Sequence, residues 1–302
     1  MLLVNTSASS VTARTQVVIH KALAAEHEVA VATTKRRDHA AKLARGAAGT
    51  GFDVVAVLGG DGTLNEAANG VVGTDCALGV LPGGSTNVFA RSIGLPNDPI
   101  AATEELLKSL SKSSISPVGL GAVNGRSFLF HSGIGFDAAV VEQVERRAGL
   151  KRYAGHPLFI YAAFATWMRH YERNRPRFAV HHHDGTVIED GYFALCLNNN
   201  PYTYLGNRPF NVAPEATLDR GLACVTLRTL SFAPTMAVIG SALGSGKLLR
   251  SHELVDYRYD LSTMKVVGHG PFPYQVDGDF LGMTTELNFS HQPNAMNLVF
   301  PA

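Results

Sequence analysis

Apolar runs alternate with helix-forming stretches through the first third of the sequence. Residues 1–5, 29–33, 54–58 and 77–81 are short apolar runs, and the Ala-rich stretch 38–48 between two of them predicts a helix. The run 54–58 is continuously apolar and mostly β-branched, which is typical of a strand buried on both faces of a parallel sheet. Four strands that alternate with helices predict an α/β domain with helices on both faces of the sheet.

The pattern changes after Pro117, where short alternating segments with hairpin signals begin. Asn124-Gly125 and Asp184-Gly185 each separate two such segments, as expected for two-residue hairpin turns. Further strand candidates are 192–197, 222–229, 257–259, 264–267 and 286–289, and helical stretches are predicted at 139–148 and 158–171. We therefore predict an α/β domain in residues 1–118 and a β-sandwich in residues 119–302, and consider that the last ~12 residues return to the first domain.

Composition narrows the classes of partner and compartment. The 302 residues carry a formal net charge of +1, which gives no electrostatic footprint for nucleic acid. The three cysteines are unevenly spaced, so we expect buried thiols in a reducing compartment rather than disulfides or a metal cluster. The longest apolar run, 158–168, is shorter than the about 20 residues that span a bilayer. We expect a cytoplasmic protein, soluble or peripheral at the inner face of the membrane.

The clearest candidate for chemistry is the stretch 54–70, where the strand runs into Gly59-Gly60-Asp61-Gly62-Thr63 and then a helix predicted from Thr63 to Gly70. Glycines let a backbone approach an anion closely, and the N–H groups at a helix start point toward it. This arrangement predicts a phosphate site. Because the Asp61 carboxylate would repel phosphate, a divalent cation is expected between them. The alternative is an ordinary tight turn in which Asp61 forms an Asx turn.

A second glycine turn, residues 82–87, follows the strand 77–81. In open α/β sheets ligands bind at the carboxyl ends of the strands. Those ends are followed here by residues 5–9, 33–34, 59–63 and 83–87, all rich in glycine, hydroxyl or amide side chains. We therefore expect four loops to converge on one edge of the sheet and to form the binding site.

The ordered motifs LGGDGTLNEAANG, LPGGSTN and ARSIGLP resemble the diacylglycerol kinase and sphingosine kinase-type lipid kinases. The resemblance extends along the chain. Residues 5–9 match that family's Asn-Pro-x-Ser-Gly loop, residues 133–138 match its GxGFDA segment, and residues 275–279 match its Val-Asp-Gly-Glu segment, with Asp279 in the place of the catalytic Glu. GGDGT alone is less specific, because NAD kinases and phosphofructokinases share it.

The resemblance implies an NAD kinase/phosphofructokinase-like nucleotide-binding domain followed by a β-sandwich, ATP and Mg²⁺ as cofactors, and a lipid hydroxyl as acceptor, with diacylglycerol or a related lipid expected. It implies catalytic roles for Asp279, Asp61 and Asp277, with Asp61 also the metal ligand. The residues expected to bind the nucleotide are Asn5, Ser9, Thr33 (or Thr34), Gly59, Gly60, Asp61, Gly62, Thr63, Asn65, Glu66, Gly84, Ser85 and Asn87. The expected partner is a lipid at a membrane surface, and a homodimer is also considered.

Three positions depart from the family pattern. Val88 and Gly119 stand where the family has carboxylates of its Mg²⁺ network, and Arg220 stands in its Asp-Asp-Gly structural metal motif. Because Arg cannot ligate a cation, we expect no structural metal at Arg220. Because Val88 and Gly119 carry no carboxylate, we expect the catalytic Mg²⁺ to rely on Asp61, the phosphates and water. Two alternatives stay open: an NAD kinase, and a nucleotide sensor that has lost catalysis. The stretch 151–170 predicts either a membrane-facing amphipathic helix or core packing.

Overall fold

The computed structural model of the protein describes residues 1–146, 163, 165, 166, 171, 174–244 and 247–302. Most of the stretch 151–170 and of the predicted helix 158–171 lies outside these residues. The chain forms two units, one made of Met1–Leu120 with Pro293–Ala302 and the other of Gly121–Gln292. Strands at the two division points, Ile115–Val123 and Asp279–Val299, contribute residues to both units.

In the first unit the elements are β1 (Leu2–Val4), α1 (Ala13–Ala24), β2 (Val31–Thr33), α2 (His39–Gly49), β3 (Val54–Gly59), α3 (Asp61–Val71), β4 (Ala77–Pro82), α4 (Val88–Ser92), α5 (Pro99–Ser111) and the start of β5 (Ile115–Val123). In the second they are β6 (Arg126–Phe128), β7 (His131–Gly135), α6 (Phe136–Glu145), β8 (Phe178–His182), β9 (Val187–Gly191), β10 (Phe193–Leu197), β11 (Thr203–Leu205), β12 (Arg208–Phe210), β13 (Leu222–Leu227), α7 (Phe232–Ala242), α8 (Lys247–Ser251), β14 (Val255–Leu261), β15 (Thr263–Val276) and β16 (Asp279–Val299).

The sheet of the first unit has the order β4-β3-β1-β2, and all three pairings are parallel. The end of β16 joins β4 through a parallel pairing of Leu298 with Leu78, so the last residues of the chain belong to this sheet. Residues 55–58 of β3 are buried, as their continuous apolar run predicts. Side chains of α1 and α5, among them Ile19, Leu23 and Leu106, pack against the sheet in one apolar cluster.

The main sheet of the second unit has the order β14-β13-β10-β7-β15-β16 through antiparallel pairs. Strand β8 also pairs with β15, β9 pairs with β8, and β6 pairs with β5. Alternate residues of β10 enter different apolar clusters: Ala194 and Cys196 pack into one, while Leu195 and Leu197 pack into another that includes α7. Since side chains alternate across a strand, β10 is buried on both faces.

The predicted fold class, an α/β domain followed by a β-sandwich, is confirmed by structural likeness described below. The two predicted hairpins are present, with β5 pairing β6 and β8 pairing β9. The helix predicted from Thr63 begins two residues earlier, at Asp61. The sequence pattern missed α7 and the β11–β12 hairpin. No helix in the described part of the chain is long and apolar enough to cross a membrane.

Candidate functional site

Two glycine turns of the first unit lie against each other. The N–H of Gly83 donates to the Gly59 carbonyl at 2.8 Å. A Cβ on Gly84 would lie 2.9 Å from the Cα of Gly60, and a Cβ on Gly59 would lie 2.9 Å from the Cβ of Thr63. Since Gly60 has an extended backbone with φ −86°, close approach rather than a special φ explains these glycines. The two turns therefore present adjacent backbone at the carboxyl ends of β3 and β4.

The loop after β1 is fastened to both turns. The Asn5 N–H donates to the Leu58 carbonyl at 2.9 Å, and the Asn5 amide donates to the Thr63 hydroxyl at 2.8 Å. The Ser10 N–H donates to the Gly83 carbonyl at 2.9 Å. Three of the four predicted loops thus meet. Thr33, in contrast, is exposed at the end of β2, which is separated from β3 by β1.

Asp61 connects the starts of two helices. It is the first residue of α3, and its carboxylate accepts hydrogen bonds from the N–H groups of Val88, at 2.9 Å, and Phe89, at 3.1 Å, at the start of α4. A carboxylate at a helix start satisfies N–H groups that have no intrahelical acceptor. The side chain of Asp61 therefore joins the two glycine turns. At the position of the family's second aspartate, Val88 contributes its backbone N–H to this contact.

Asn87 gives the second turn its shape. Its φ of 51° is left-handed, a conformation that Asn tolerates better than most residues. Its side-chain oxygen accepts from the Gly84 N–H at 2.8 Å, and its amide donates to the Gly84 carbonyl at 2.9 Å and to the Asn97 side chain at 2.7 Å. Ser85 is exposed at the tip of the turn, and Ser9 is exposed in the loop after β1.

Asn65 and Glu66 have contacts of another kind. Asn65 is 1% exposed on α3, where its carbonyl accepts from the Asn69 side chain at 2.9 Å. The Glu66 carboxylate accepts from the Ala40 N–H at 3.1 Å, at the start of α2. These contacts support the packing of α2 on α3. Nucleotide binding by either residue stays a prediction.

The start of α3 can bind an anion. The first N–H groups of a helix have no intrahelical acceptor, and the N-cap residue Gly60 has no side chain to supply one. The N–H groups of Gly62 and Thr63 therefore suit phosphate oxygens. For a cation, the described residues contain no cluster of three His, Cys, Asp or Glu side chains. Because a carboxylate oxygen can accept more than one contact, Asp61 fits an Mg²⁺ whose other ligands are phosphates and water.

In the second unit, Asp277 and Gly278 form the hairpin turn between β15 and β16. Their φ values of 48° and 83° are those of a type I′ turn, for which Asp-Gly is a preferred pair. The Asp277 side chain is buried, and its carboxylate accepts from the N–H groups of residues 129, 130 and 131 at 2.8, 3.0 and 3.0 Å. These contacts give Asp277 a structural role, and its predicted support of catalysis stays a prediction. Asp279 follows the turn as the half-buried first residue of β16.

The GxGFDA segment lies beside this turn. The Asp137 carboxylate accepts from the Gln275 amide at 2.7 Å and from the Tyr202 hydroxyl at 2.5 Å, and the Gln275 oxygen accepts from the Gly278 N–H at 2.8 Å. A Cβ on Gly133 would lie 1.7 Å from an Asp137 oxygen, which explains this glycine. Sequence reasoning missed Tyr202 and Gln275 as members of a functional cluster, since no local spacing links Tyr202 to residues 133–138.

Burial changes the pKa values of this cluster. Desolvation raises the pKa of Asp137, and the hydrogen bonds from Tyr202 and Gln275 oppose that change. Desolvation, and then the charge of Asp137, raise the pKa of Tyr202 well above its ordinary value. The neighbouring His131 is 4% exposed, with its ring against those of Phe130 and Tyr202, and burial lowers its pKa to about 3. His131 is therefore neutral at physiological pH.

The α/β unit with paired glycine turns and the β-sandwich define a class of fold shared by two kinds of kinase. A solved structure of a diacylglycerol kinase from Bacillus anthracis matches with a TM-score of 0.71 at 21% identity, covering 99% of this chain and 95% of that one. An NAD kinase from Archaeoglobus fulgidus in complex with ATP matches with a TM-score of 0.55 at 11% identity, covering 99% and 93%. At these identities the likeness establishes the fold.

Sequence comparison points to the lipid kinases. Residues 1–119 match the model of the diacylglycerol kinase catalytic domain. A Pseudomonas aeruginosa protein named "Probable lipid kinase YegS-like" is 28% identical over 92% of this chain and 86% of its own length. The resemblance to the diacylglycerol kinases and related lipid kinases that the motifs predict is therefore confirmed.

Proposed function

We propose that this protein is an ATP-dependent lipid kinase that phosphorylates the hydroxyl of diacylglycerol or a related lipid, in phospholipid biosynthesis. The observation that carries the proposal is the pair of contacting glycine turns beside the uncapped start of α3, in a domain that matches the diacylglycerol kinase catalytic domain. ATP supplies the phosphoryl group, and Mg²⁺ neutralises the charge on its phosphates.

The roles of the first-unit residues follow from their contacts. The N–H groups of Gly62 and Thr63 bind phosphate oxygens, because they lie at a helix start. Asp61 holds α3 and α4 together through the hydrogen bonds that its carboxylate accepts. The same carboxylate oxygens would also ligate the Mg²⁺ ion. The Asn5 side chain keeps the Thr63 hydroxyl in place. These contacts therefore hold the backbone of the phosphate site in a fixed position before phosphate binds.

Asp279 is the proposed general base that accepts the proton of the lipid hydroxyl. Its place in the motif supports this role, and so does its half-buried position, whereas the Asp277 side chain is buried against the backbone N–H groups of residues 129–131. A general base acts only when its carboxylate can reach the proton that it removes. We therefore assign the base to Asp279 and the shape of the turn to Asp277.

The test uses the purified protein with labelled ATP, Mg²⁺ and, in separate reactions, diacylglycerol vesicles, a mixed lipid extract or NAD. We expect a labelled lipid from the wild type, and a kcat lower by about 100-fold in Asp279→Asn with unchanged ATP affinity. Glu253→Gln, which neutralises an exposed carboxylate of the same unit, is the matched control. Labelled NADP would identify an NAD kinase. ATP binding without any transfer would support a nucleotide sensor, the alternative that Val88 and Gly119 motivate.

A lipid acceptor implies that the reaction takes place at a membrane surface. We propose that helix α7 contacts the cytoplasmic face of that membrane. Phe232, Met236, Ile239 and Leu243 recur at helical spacing and are 61%, 44%, 37% and 40% exposed. Residues 231–252 contain Lys247 and Arg250 and no acidic residue. An apolar stripe with basic neighbours suits an anionic bilayer.

Sedimentation with vesicles tests this contact. We expect the wild type to bind vesicles that contain anionic lipid, and Phe232→Ser with Met236→Ser to weaken binding by about 10-fold. Val187→Ser, at an apolar position with 39% exposure on β9, is the control. Equal vesicle binding by the α7 variant would contradict the proposal. A change from dimer to monomer in the same variant would instead identify the stripe as a homodimer interface.

A further inference from the structure

We propose that the buried hydrogen-bond network of Tyr202, Asp137 and Gln275, called here the Asp137 network, positions Asp279 for proton transfer. This inference rests on the proposed function, since it assigns positioning residues to the same reaction. The network lies within the second unit, and it ends on the backbone of the turn that immediately precedes Asp279.

The contacts form an unbroken series. The Tyr202 hydroxyl donates to one Asp137 oxygen at 2.5 Å, and the Gln275 amide donates to the other at 2.7 Å. The Gln275 side-chain oxygen then accepts from the Gly278 N–H at 2.8 Å. Asp137 is 5% exposed and Gln275 is fully buried. The contact between Gln275 and Asp137 is therefore shielded from water, which strengthens it and makes its loss costly, and the other two contacts are partly buried.

The turn fixes the orientation of the Gln275 side chain. Because the Gly278 N–H can only donate, Gln275 must present its oxygen to the turn and its amide group to Asp137. The side chain at position 137 then faces the amide donor of Gln275 on one side and the Tyr202 hydroxyl, which can donate or accept, on the other. An ionised carboxylate accepts from both, so the Tyr202 hydroxyl acts as a donor here. Asp137 is therefore held by a donor on each side.

Asp277, the other central residue of the turn, is also held in place by hydrogen bonds. Asp277 accepts three backbone hydrogen bonds from residues 129–131, and its own N–H donates to the His131 carbonyl at 2.9 Å. Both central residues of the turn are thus fixed, one by its side chain and the other by the Asp137 network. Asp279 is the next residue along the chain, so the direction of its Cα–Cβ bond depends on this turn.

A buried carboxylate is an expensive way to add stability, since apolar residues of similar volume often do as well or better. Precise placement is what a general base needs, and misplacement by about 1 Å can lower a rate by about 100-fold. We therefore assign the Asp137 network to the placement of Asp279 rather than to added stability. Its members are positioning residues, because they act on Asp279 through the backbone of the turn.

Exchanging the acid and the amide gives a sharp test. Gln275→Glu places two carboxylates against each other. The double variant, Asp137→Asn with Gln275→Glu, restores a donor opposite each acceptor. In it the Tyr202 hydroxyl donates to the amide oxygen introduced at position 137, the amide nitrogen introduced there donates to the new carboxylate at position 275, and that carboxylate accepts from the Gly278 N–H. Asp137→Asn alone is not the disrupting variant, because the Tyr202 hydroxyl can accept from an amide. Tyr202→Phe, which removes only one hydroxyl, serves as a milder variant if Gln275→Glu does not fold.

We expect kcat for lipid phosphorylation to fall by about 10-fold or more in Gln275→Glu, while KM for ATP changes by less than about twofold. The double variant is expected to regain most of kcat. Amide exchange at Gly278 is expected to rise in Gln275→Glu and to return to the wild-type rate in the double variant. A purely structural network would change unfolding free energy without this separation of kcat from KM.

Wild-type kcat in a folded Gln275→Glu variant, or a double variant no faster than Gln275→Glu, would overturn the proposal. The proposed base fails separately, if Asp279→Asn transfers phosphate at the wild-type rate. In that case exchange at Gly278 still shows whether the network fixes the turn, and unchanged Gly278 exchange in Gln275→Glu would overturn that part as well.

Discussion

Two turns, one in each unit, carry the aspartates that the motifs identify, and both use a carboxylate in the same way. The Asp61 carboxylate accepts hydrogen bonds from the N–H groups of Val88 and Phe89, and the Asp277 carboxylate accepts hydrogen bonds from those of residues 129–131. In both cases the side chain fastens its turn to a segment distant in sequence. The comparison teaches that an aspartate in a kinase motif can hold the site together in addition to any chemistry.

The two turns differ in what packs against them. The turn that leads into Asp61 lies against glycine backbone, with Gly84 so near Gly60 that a Cβ would lie 2.9 Å from its Cα. The Asp277-Gly278 turn is contacted by a side chain, because the Gly278 N–H donates to Gln275, which in turn donates to Asp137. Backbone that approaches so closely suits an anion, whereas a side-chain network suits the placement of one residue, Asp279.

Removal of the Asp277 carboxylate is expected to have the largest effect. Asp277→Ala leaves three backbone N–H groups at residues 129–131 without their acceptor, all three on buried residues. Because each such group costs about 1–3 kcal/mol, we expect the free energy of unfolding to fall by at least about 3 kcal/mol. Chemical denaturation measures this, with Asp219→Ala as an exposed control. A loss under about 1 kcal/mol would show that the turn is held by other contacts.

A methyl group between the two glycine turns is expected to act next most strongly. In Gly84→Ala the added Cβ would meet the Gly60 Cα at 2.9 Å, so the turns must separate. We expect a cost of about 1–3 kcal/mol in stability and an ATP affinity about 10-fold lower by calorimetric titration. Gly46→Ala on α2, where a Cβ meets nothing within 4 Å, is the control. Unchanged ATP affinity in folded Gly84→Ala would make the turns structural only.

How far the sequence predicts the molecule depends on whether a feature is local. The β3–α3 junction is local, and the apolar run with its three glycines was sufficient to predict it, apart from a helix start misplaced from Asp61 to Thr63. The capping of α4 by Asp61 was not predicted, because its partners are 27 and 28 residues away in the sequence. Nothing in the spacing of residues shows which N–H groups a carboxylate will meet.

The second unit was harder to predict for the same reason. Strands β15 and β16 are far longer than the segments 264–267 and 286–289 predicted from alternation, since Gly and Pro residues in β15 and polar residues in β16 interrupt the pattern. Tyr202 reaches Asp137 across 65 residues of sequence. Gly133 was the available signal, because its lack of a side chain makes room for Asp137 and Gln275.

Removal of the Asp61 carboxylate is expected to lower catalytic activity more than stability. Asp61→Ala is expected to retain less than a tenth of the wild-type rate of phosphoryl transfer, a loss of more than about 1.4 kcal/mol. Because the variant also uncaps α4, we expect a stability cost of about 1 kcal/mol. Asp53→Ala, at an exposed position just before β3, is the control for both measurements. Full activity in Asp61→Ala would leave the residue with a capping role alone.

The expected effect that is smallest near neutral pH is a pH dependence of the unfolding free energy, caused by His131 beside the Asp277 turn. His131 has its pKa lowered to about 3 by burial, against 6.5 in the unfolded chain. Between these values the unfolded state binds a proton that the folded state does not, so the unfolding free energy rises with pH, by up to about 1.4 kcal/mol per pH unit. The raised pKa of Asp137 acts in the opposite direction above pH 3.8.

Because Asp137 is present in both proteins, the difference between wild type and His131→Phe isolates the histidine. We expect the unfolding free energy of His131→Phe to fall less steeply than that of the wild type as the pH is lowered from 6.5 toward 3, in urea titrations at closely spaced pH values. His183→Phe, at an exposed position on the β8–β9 hairpin, should follow the wild-type curve. Parallel curves for wild type and His131→Phe would mean that water reaches this ring, and that the surroundings of the Asp277 turn are less shielded than those of a closed core.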